Sequence, residues 1–177
     1  MFDPQQFTAD CQAALAADTS HKLVREVVGR AVSDPISVLK ALGEPQRGGL
    51  HTIYRSNRLT ILNVVWAPEM IRMPHNHQMW AVIGIYTGRE DNIFWRRVAG
   101  NPDKLEAVGA KSLCEKDAEP LGHNIIHSVI NPISRLTGAI HVYGGDFFGA
   151  PGRSEWNPET LLEQPWDGER LLRQFEQ

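Results

Sequence analysis

A chain of 177 residues with 42% hydrophobic and 22% charged side chains has the balance of a soluble globular domain with a core of its own. Its formal net charge of −3, with no basic run, argues against nucleic acid or an anionic membrane surface as the main partner. No apolar stretch approaches bilayer length, Met1-Phe2-Asp3-Pro4 lacks the layout of a secretion signal, and two cysteines (Cys11, Cys114) make no disulfide framework, so a reducing cytoplasm is expected.

Residues 1–48 are expected to form a helical segment packed on the main body of the domain. Phe7, Cys11, Ala14 and Leu15 recur at three and four, as do Leu23, Val27, Val28 and Ala31, with Asp18-Thr19-Ser20 between them. Ser33-Asp34-Pro35 places a capping side chain ahead of a proline in the first helical turn. A third short helix then runs through Val38, Leu39 and Leu42 to Gly43.

From residue 49 to 150 the period becomes that of extended chain. His51–Arg55, Leu59–Trp66, Asn92–Val98, Leu105–Leu113, Ile125–Ile130 and Leu136–Tyr143 read as strands, separated by turns such as Ser56-Asn57-Arg58, Gly100-Asn101-Pro102-Asp103 and Pro120-Leu121-Gly122. Seven or eight short strands with turn signals about every ten residues predict an all-β sandwich or barrel. In the tail, residues 151–177, Asn157-Pro158-Glu159 can open a helical turn through Leu162, and a short helix is expected from about Asp167 to Phe175.

The chemistry concentrates at Met73-Pro74-His75-Asn76-His77-Gln78-Met79-Trp80, ahead of the apolar run Ala81–Tyr86. Histidines at i and i+2 project from one face of a strand and diverge on a helix, so this spacing serves a metal when the backbone is extended. Pro74 restricts Met73 to extended geometry. Alone, the pair is equally two polar residues at the mouth of a sheet. A third histidine, His127, lies fifty residues after His77 on a separate strand, with Pro120-Leu121-Gly122 before it and Asn131 after it.

The order Pro74-His75-x-His77, Gly88, Gly122, His127, Asn131 resembles the two motifs of the cupin superfamily. The resemblance implies a mainly β fold, a single double-stranded β-helix (jelly-roll) barrel, with a metal at its mouth on His75, His77 and His127. Cupins normally add a glutamate ligand shortly after the second histidine. Met79-Trp80-Ala81-Val82 offers no acid, which implies three neutral imidazoles.

That ligand set, with His141-Val142-Tyr143 on a later strand, resembles the thiol dioxygenases: cysteine dioxygenase and bacterial relatives acting on 3-mercaptopropionate. The likeness runs from about Tyr54 to Tyr143, and is carried by Trp66-x-Pro68, the histidine pair, Trp80, the Ile83-Gly84 to Gly88 segment, Ile126–Asn131 and Ile140–Tyr143. It implies Fe(2+) as cofactor, a small thiol and O2 as partners, and insertion of both oxygen atoms into sulfur to give a sulfinate. Three neutral ligands leave the full charge of the ion to draw in a thiolate.

In that family a Ser-His-Tyr relay points its hydroxyl at the metal. His141 and Tyr143 match its last two members and are the expected catalytic residues, while Ala139 stands at the serine position and shortens the relay. The cysteine that cross-links to the tyrosine in animal enzymes aligns with Val82, so no thioether forms. A mercapto-acid also needs its carboxylate held, for which arginine offers a bidentate fork. Arg55 and Arg153 are the candidates, and Arg153 is preferred because Gly149-Ala150-Pro151-Gly152 can fold back across the mouth. Arg72, Arg89, Arg96 and Arg97 are expected to be solvated or surface-paired, Trp80 to be core and a pocket wall, and His123 to sit at the rim. Ligand type leaves open a cupin isomerase or hydrolase using Zn, Ni or Mn, and a non-enzymatic small-molecule-binding cupin. No sequence feature fixes the oligomer.

Overall fold

Three helices come first in a computed structural model that describes residues 1–175, the side chains of 102 and 103 excepted: α1 (Pro4–Ala17), α2 (Lys22–Val32) and α3 (Pro35–Leu42). The strands are β1 (Gly49–Arg55), β2 (Thr60–Trp66), β3 (Ile71–Asn76), β4 (Ala81–Thr87), β5 (Arg89–Val98), β6 (Asn101–Cys114), β7 (Ala118–Leu121), β8 (Ile126–Ile130), β9 (Thr137–Tyr143), β10 (Ser154–Trp156) and β11 (Glu163–Pro165). A last helix, α4 (Gly168–Phe175), completes the chain of elements. One sheet has the order β1-β2-β9-β4-β7 and the other β11-β10-β3-β8-β5-β6, with every pairing antiparallel. Strands adjacent in sequence repeatedly cross between the sheets, which makes the fold a double-stranded β-helix.

The central strands of the first sheet, β2, β9 and β4, are covered on both faces and are correspondingly mostly apolar, whereas the edge strand β1 leaves His51, Thr52 and Arg55 exposed. Leu62, Val64, Trp66, Ala81, Ile83, Ile85 and Tyr143 face inward to the barrel core. Their alternates Ile61, Val82, Tyr86, Ile140 and Val142 face outward, where Val24, Val27, Val28 and Val32 of α2 cover them. The helical segment is therefore a lid on the barrel's back. At Gly84 the approach is so close that a Cβ would lie 2.4 Å from Val28 Cγ1 and 2.9 Å from Val32 Cγ1. Asp3 caps α1 by accepting from the amides of Gln5 and Gln6, and Asp34 caps α3 by accepting from that of Ser37.

The tail closes the front. The β10–β11 hairpin pairs with β3 through Glu155 and His75, and α4 sets Leu171 and Phe175 into the barrel core, the Phe175 ring 5.1 Å from that of Trp66.

Among the described residues eleven strands form where the sequence suggests seven or eight. The histidine stretch and its apolar run are two strands in different sheets, parted by a turn with Gln78 at φ 54°. Pro120-Leu121 extends as β7 instead of turning, because β7 is a sheet edge and a proline there forfeits no ladder bond. Residues 157–162 form the loop of the tail hairpin and contain the single expected helical turn: Asn157 Oδ1 caps it by accepting from the amides of Glu159 and Thr160, both at 2.9 Å, and Leu161 N donates to Asn157 O at 2.9 Å. Asn131 braces the turn after β8, its amide donating to Ala67 O (2.9 Å) and Arg135 O (2.8 Å). Among the described residues no helix is long and apolar enough to cross a membrane.

The contact at Gly84 sets the first expected outcome. Gly84→Val overpacks the helix–sheet seam and lowers unfolding free energy by about 1–3 kcal/mol or more, read by urea denaturation. An unchanged midpoint would mean that α2 does not seat on β4.

Candidate metal centre

Strands β3 and β8 pair so that His75 lies directly opposite His127. His77 comes one residue beyond the end of β3 and turns back onto the same cluster. Ring centroids stand 4.5 Å apart for His75 and His127, and 5.0 Å apart for each of the other two pairs. All three are buried, and one ring nitrogen of each lies within 4.8 Å of the others.

The nitrogens point the way a metal requires. His75 Nδ1 lies 2.9 Å from Met73 O, which can only accept, so Nδ1 carries the proton and Nε2 is bare. His127 Nδ1 lies 2.7 Å from Asn92 Oδ1, which leaves its Nε2 bare by the same logic. That Nε2 is 3.3 Å from His77 Nε2; two nitrogens each about 2.1 Å from one shared ion stand roughly 3 to 3.4 Å apart. His77 Nδ1 is buried without a partner among the described residues. Burial, reinforced by the neighbouring rings and arginines, holds His75 and His77 well below the ordinary histidine range, and burial brings His127 down to about 4. The three rings are neutral at physiological pH, and fit a metal as a facial N3 set.

Behind them lies a polar network that the sequence does not reveal. Glu90, fully buried, accepts from Trp66 Nε1 (2.8 Å) and Asn92 Nδ2 (3.0 Å), and lies 3.3 Å from His141 Nε2. His141 Nδ1 is 3.0 Å from the Tyr143 hydroxyl, and the Tyr143 ring stands edge-on to His77 at 5.1 Å. His141 and Tyr143 thus adjoin the cluster, and a carboxylate from β5 stands on the far side of His141 from the Tyr143 hydroxyl. Burial pushes Glu90 up, but His141 and the hydrogen bonds from His141 and Asn92 hold it below the ordinary carboxylate value. Burial pushes the Tyr143 hydroxyl well up, so it stays protonated. Alternation along β5 is the signal that could have found this: Glu90 and Asn92 face in, while Arg89 and Asp91 face out and pair with each other at 2.8 Å.

The cluster opens into a small cavity lined also by Arg72, Arg153, Phe147, Trp166 and Phe175. Arg153 is buried, its guanidinium stacked 3.9 Å from the Trp166 centroid and 4.4 Å from that of Phe147. Its Nε donates to Asn76 O (3.3 Å), its Nη1 donates to Phe147 O, and its Nη2 has no partner among the described residues. The expected two-pronged fork is thus reduced to a single free prong. Burial pulls its pKa down to about 10, which leaves it cationic.

Arg55 and Trp80 lie elsewhere. Arg55 is half-exposed, held by Asp146 at 2.8 and 2.9 Å and stacked on Phe148, so its charge is spent outside the cavity. Trp80 falls on the outward phase of β4 and donates to Thr19 O (3.1 Å) under the helical segment. Val82 shares that outward face, so even a cysteine there would point away from Tyr143. Arg72, expected at the surface, is buried in the cavity wall, donating to Glu155 and to Gln174 Oε1 (3.1 Å). Arg89, Arg96 and Arg97 pair at the surface with Asp91, Glu106 and Glu163, and exposed His123 lies with its Nδ1 2.9 Å from Asn124 Oδ1.

Fold and cluster together define a β-barrel protein with a candidate three-histidine metal centre at its mouth. No family model matches the chain. Among solved structures it is similar to a cupin family protein with a double-stranded β-helix fold from Methanocaldococcus jannaschii (12% identity, TM-score 0.48, covering 59% of this chain and 85% of that one). A conserved protein with a double-stranded β-helix domain from Klebsiella pneumoniae (11%, 0.45, 58% and 78%) and the oxalate decarboxylase of Bacillus subtilis (16%, 0.44, 61% and 28%) are also similar. These are likenesses of fold; the chemistry of the site rests on its own geometry.

The buried neutral rings make the metal-free protein acid-sensitive. Unfolded histidines protonate near pH 6.5, whereas native His127 does so only near about 4 and His75 and His77 lie well below their ordinary value. Between these limits the unfolded state holds more protons, so stability falls as pH falls, approaching about 1.4 kcal/mol per pH unit for each histidine. Urea unfolding of metal-free protein from pH 7 to 5 checks this; a flat profile would mean that the rings are solvated. His77→Ala should both flatten the slope and abolish tight binding of a divalent metal.

Proposed function

We propose that the protein is an Fe(II)-dependent thiol dioxygenase that oxidises a small mercapto-acid, 3-mercaptopropionate in preference to cysteine, to its sulfinate. The observation that carries this reading is the shared cavity: three neutral imidazoles with no carboxylate among them, and a buried arginine with one unpartnered Nη2. Iron, when bound, supplies O2 binding and the redox steps between triplet O2 and sulfur. The overall change is balanced without an outside reductant, because sulfur gives up four electrons on passing from thiol to sulfinic acid and O2 takes four.

The protein's own residues bind and orient. His75, His77 and His127 would hold the ion on one side. Arg153 offers Nη2 to the substrate carboxylate, at a fixed reach because the guanidinium is clamped between Phe147 and Trp166. Tyr143 lines the same cavity with its ring edge-on to His77, and its hydroxyl can hydrogen-bond the reacting groups. Phe147, Trp166, Leu171 and Phe175 exclude water from the same space. No aspartate or glutamate lines the cavity among the described residues, so an ammonium group would find no counter-charge. That favours a mercapto-acid without an amine, and the small volume favours a short one.

The test is O2 uptake and sulfinate formation by iron-loaded protein on 3-mercaptopropionate and cysteine. Arg153→Lys should lower kcat/KM about 10- to 100-fold, the range for a lost hydrogen bond to a charged group. Arg55→Ala should change it less than about threefold, as expected for an exposed ion pair. Tyr143→Phe should keep its metal and lose about 100-fold in turnover. Sensitivity to Arg55 alone, with cysteine the better substrate, would overturn the assignment of Arg153; no sulfinate from any thiol would overturn the reaction.

A further inference from the structure

Three nitrogens converge on Glu90: the indole nitrogen of Trp66, the amide nitrogen of Asn92 and Nε2 of His141. An ionised carboxylate accepts and cannot donate, and this has consequences along two branches. In the first, Asn92 must turn its NH2 to Glu90, so its Oδ1 faces His127; Oδ1 accepts, so His127 holds its proton on Nδ1 and presents a bare Nε2 to the cluster. In the second, His141 as a neutral ring must hold its one proton on Nε2, so its Nδ1 is bare and accepts a hydrogen bond from the Tyr143 hydroxyl. The Tyr143 oxygen then turns its lone pairs, not its proton, to the cavity.

We infer that Glu90 is a positioning residue: one buried negative charge that fixes the hydrogen-bond direction of both branches, and with it the metal-ready tautomer of His127 and the acceptor face of Tyr143. Trp66 adds a third donor, so that no proton is needed on the carboxylate to satisfy it. The inference rests on the histidine cluster being a metal site, and does not depend on the substrate or the reaction.

The test begins with metal-free wild-type protein. Two-bond ¹H–¹⁵N spectra separate the protonated from the bare nitrogen of each imidazole. His127 is expected as the Nδ1–H tautomer and His141 as the Nε2–H tautomer; the opposite form of either ring overturns the inference without any variant. Glu90→Gln then keeps shape but offers one acceptor oxygen to three donors and brings an NH2 that must donate. At least one of the two rings is expected to change tautomer, and Co²⁺ affinity, read from its visible absorption, to fall about tenfold or more, as for other losses of an outer hydrogen-bond partner. If both tautomers survive in a folded Glu90→Gln protein, Glu90 does not set them and the inference fails. Wild-type protein that takes up no Co²⁺ would instead defeat the metal-centre reading, and the tautomer result would stand apart from it.

Discussion

The pairing of β3 with β8 is the constraint on which the site depends. It sets His75 opposite His127, but the register slips between Arg72 and His75, so that β3 carries one residue more than its partner across that interval. Arg72 and His75 are three apart, and on a regular strand they would face opposite ways. The extra residue reverses the phase, so both line one cavity. Pro74 lies inside the irregular interval, where a missing N–H is least missed. A further one-residue slip would turn the imidazoles away from one another.

Burying so much polarity at a barrel mouth is costly unless every charge is met. Glu155 answers Arg72 from the tail hairpin, and its other oxygen lies 2.7 Å from Arg170 of α4, an ion pair by distance without hydrogen-bond alignment. Arg72 also reaches Gln174. These contacts join β3, β10 and α4, so the charges that surround the histidines are the same ones that hold the cover over them. Removing one partner would leave a buried charge unmet, typically a larger loss than the pair itself contributes.

Much of this is legible in the residues. The helical periods, the cap at Asp34 and the helix after Asp167 come from local chemistry, and the histidine pair announces itself by spacing. Residue type and neighbourhood along the chain misplace Trp80 and Arg72 for one reason: neither reports which face of a strand a side chain takes. Trp80 comes directly after the motif, yet strand alternation sends it to the opposite face. Arg72 owes its place to an irregularity that no single sequence displays. Glu90 stays hidden because an acid between two other charged residues, Arg89 and Asp91, reads as solvated surface unless the alternation of β5 is known. The glycine-bounded segment before Arg153 favours it over Arg55 in the sequence, but that Asp146 pairs the first and Trp166 covers the second is a matter of the fold.

All three imidazoles belong to the stretch that ends at residue 127, whereas the cavity's outer wall comes from residues 147–175. The ring nitrogens therefore come from one part of the chain and the cover over them from another, with β9, the central strand of the first sheet, between the two. Enclosure and the choice of ring nitrogens are thus duties of separate segments, so the size of the enclosed space and the identity of the groups that face it are set by different parts of the polypeptide.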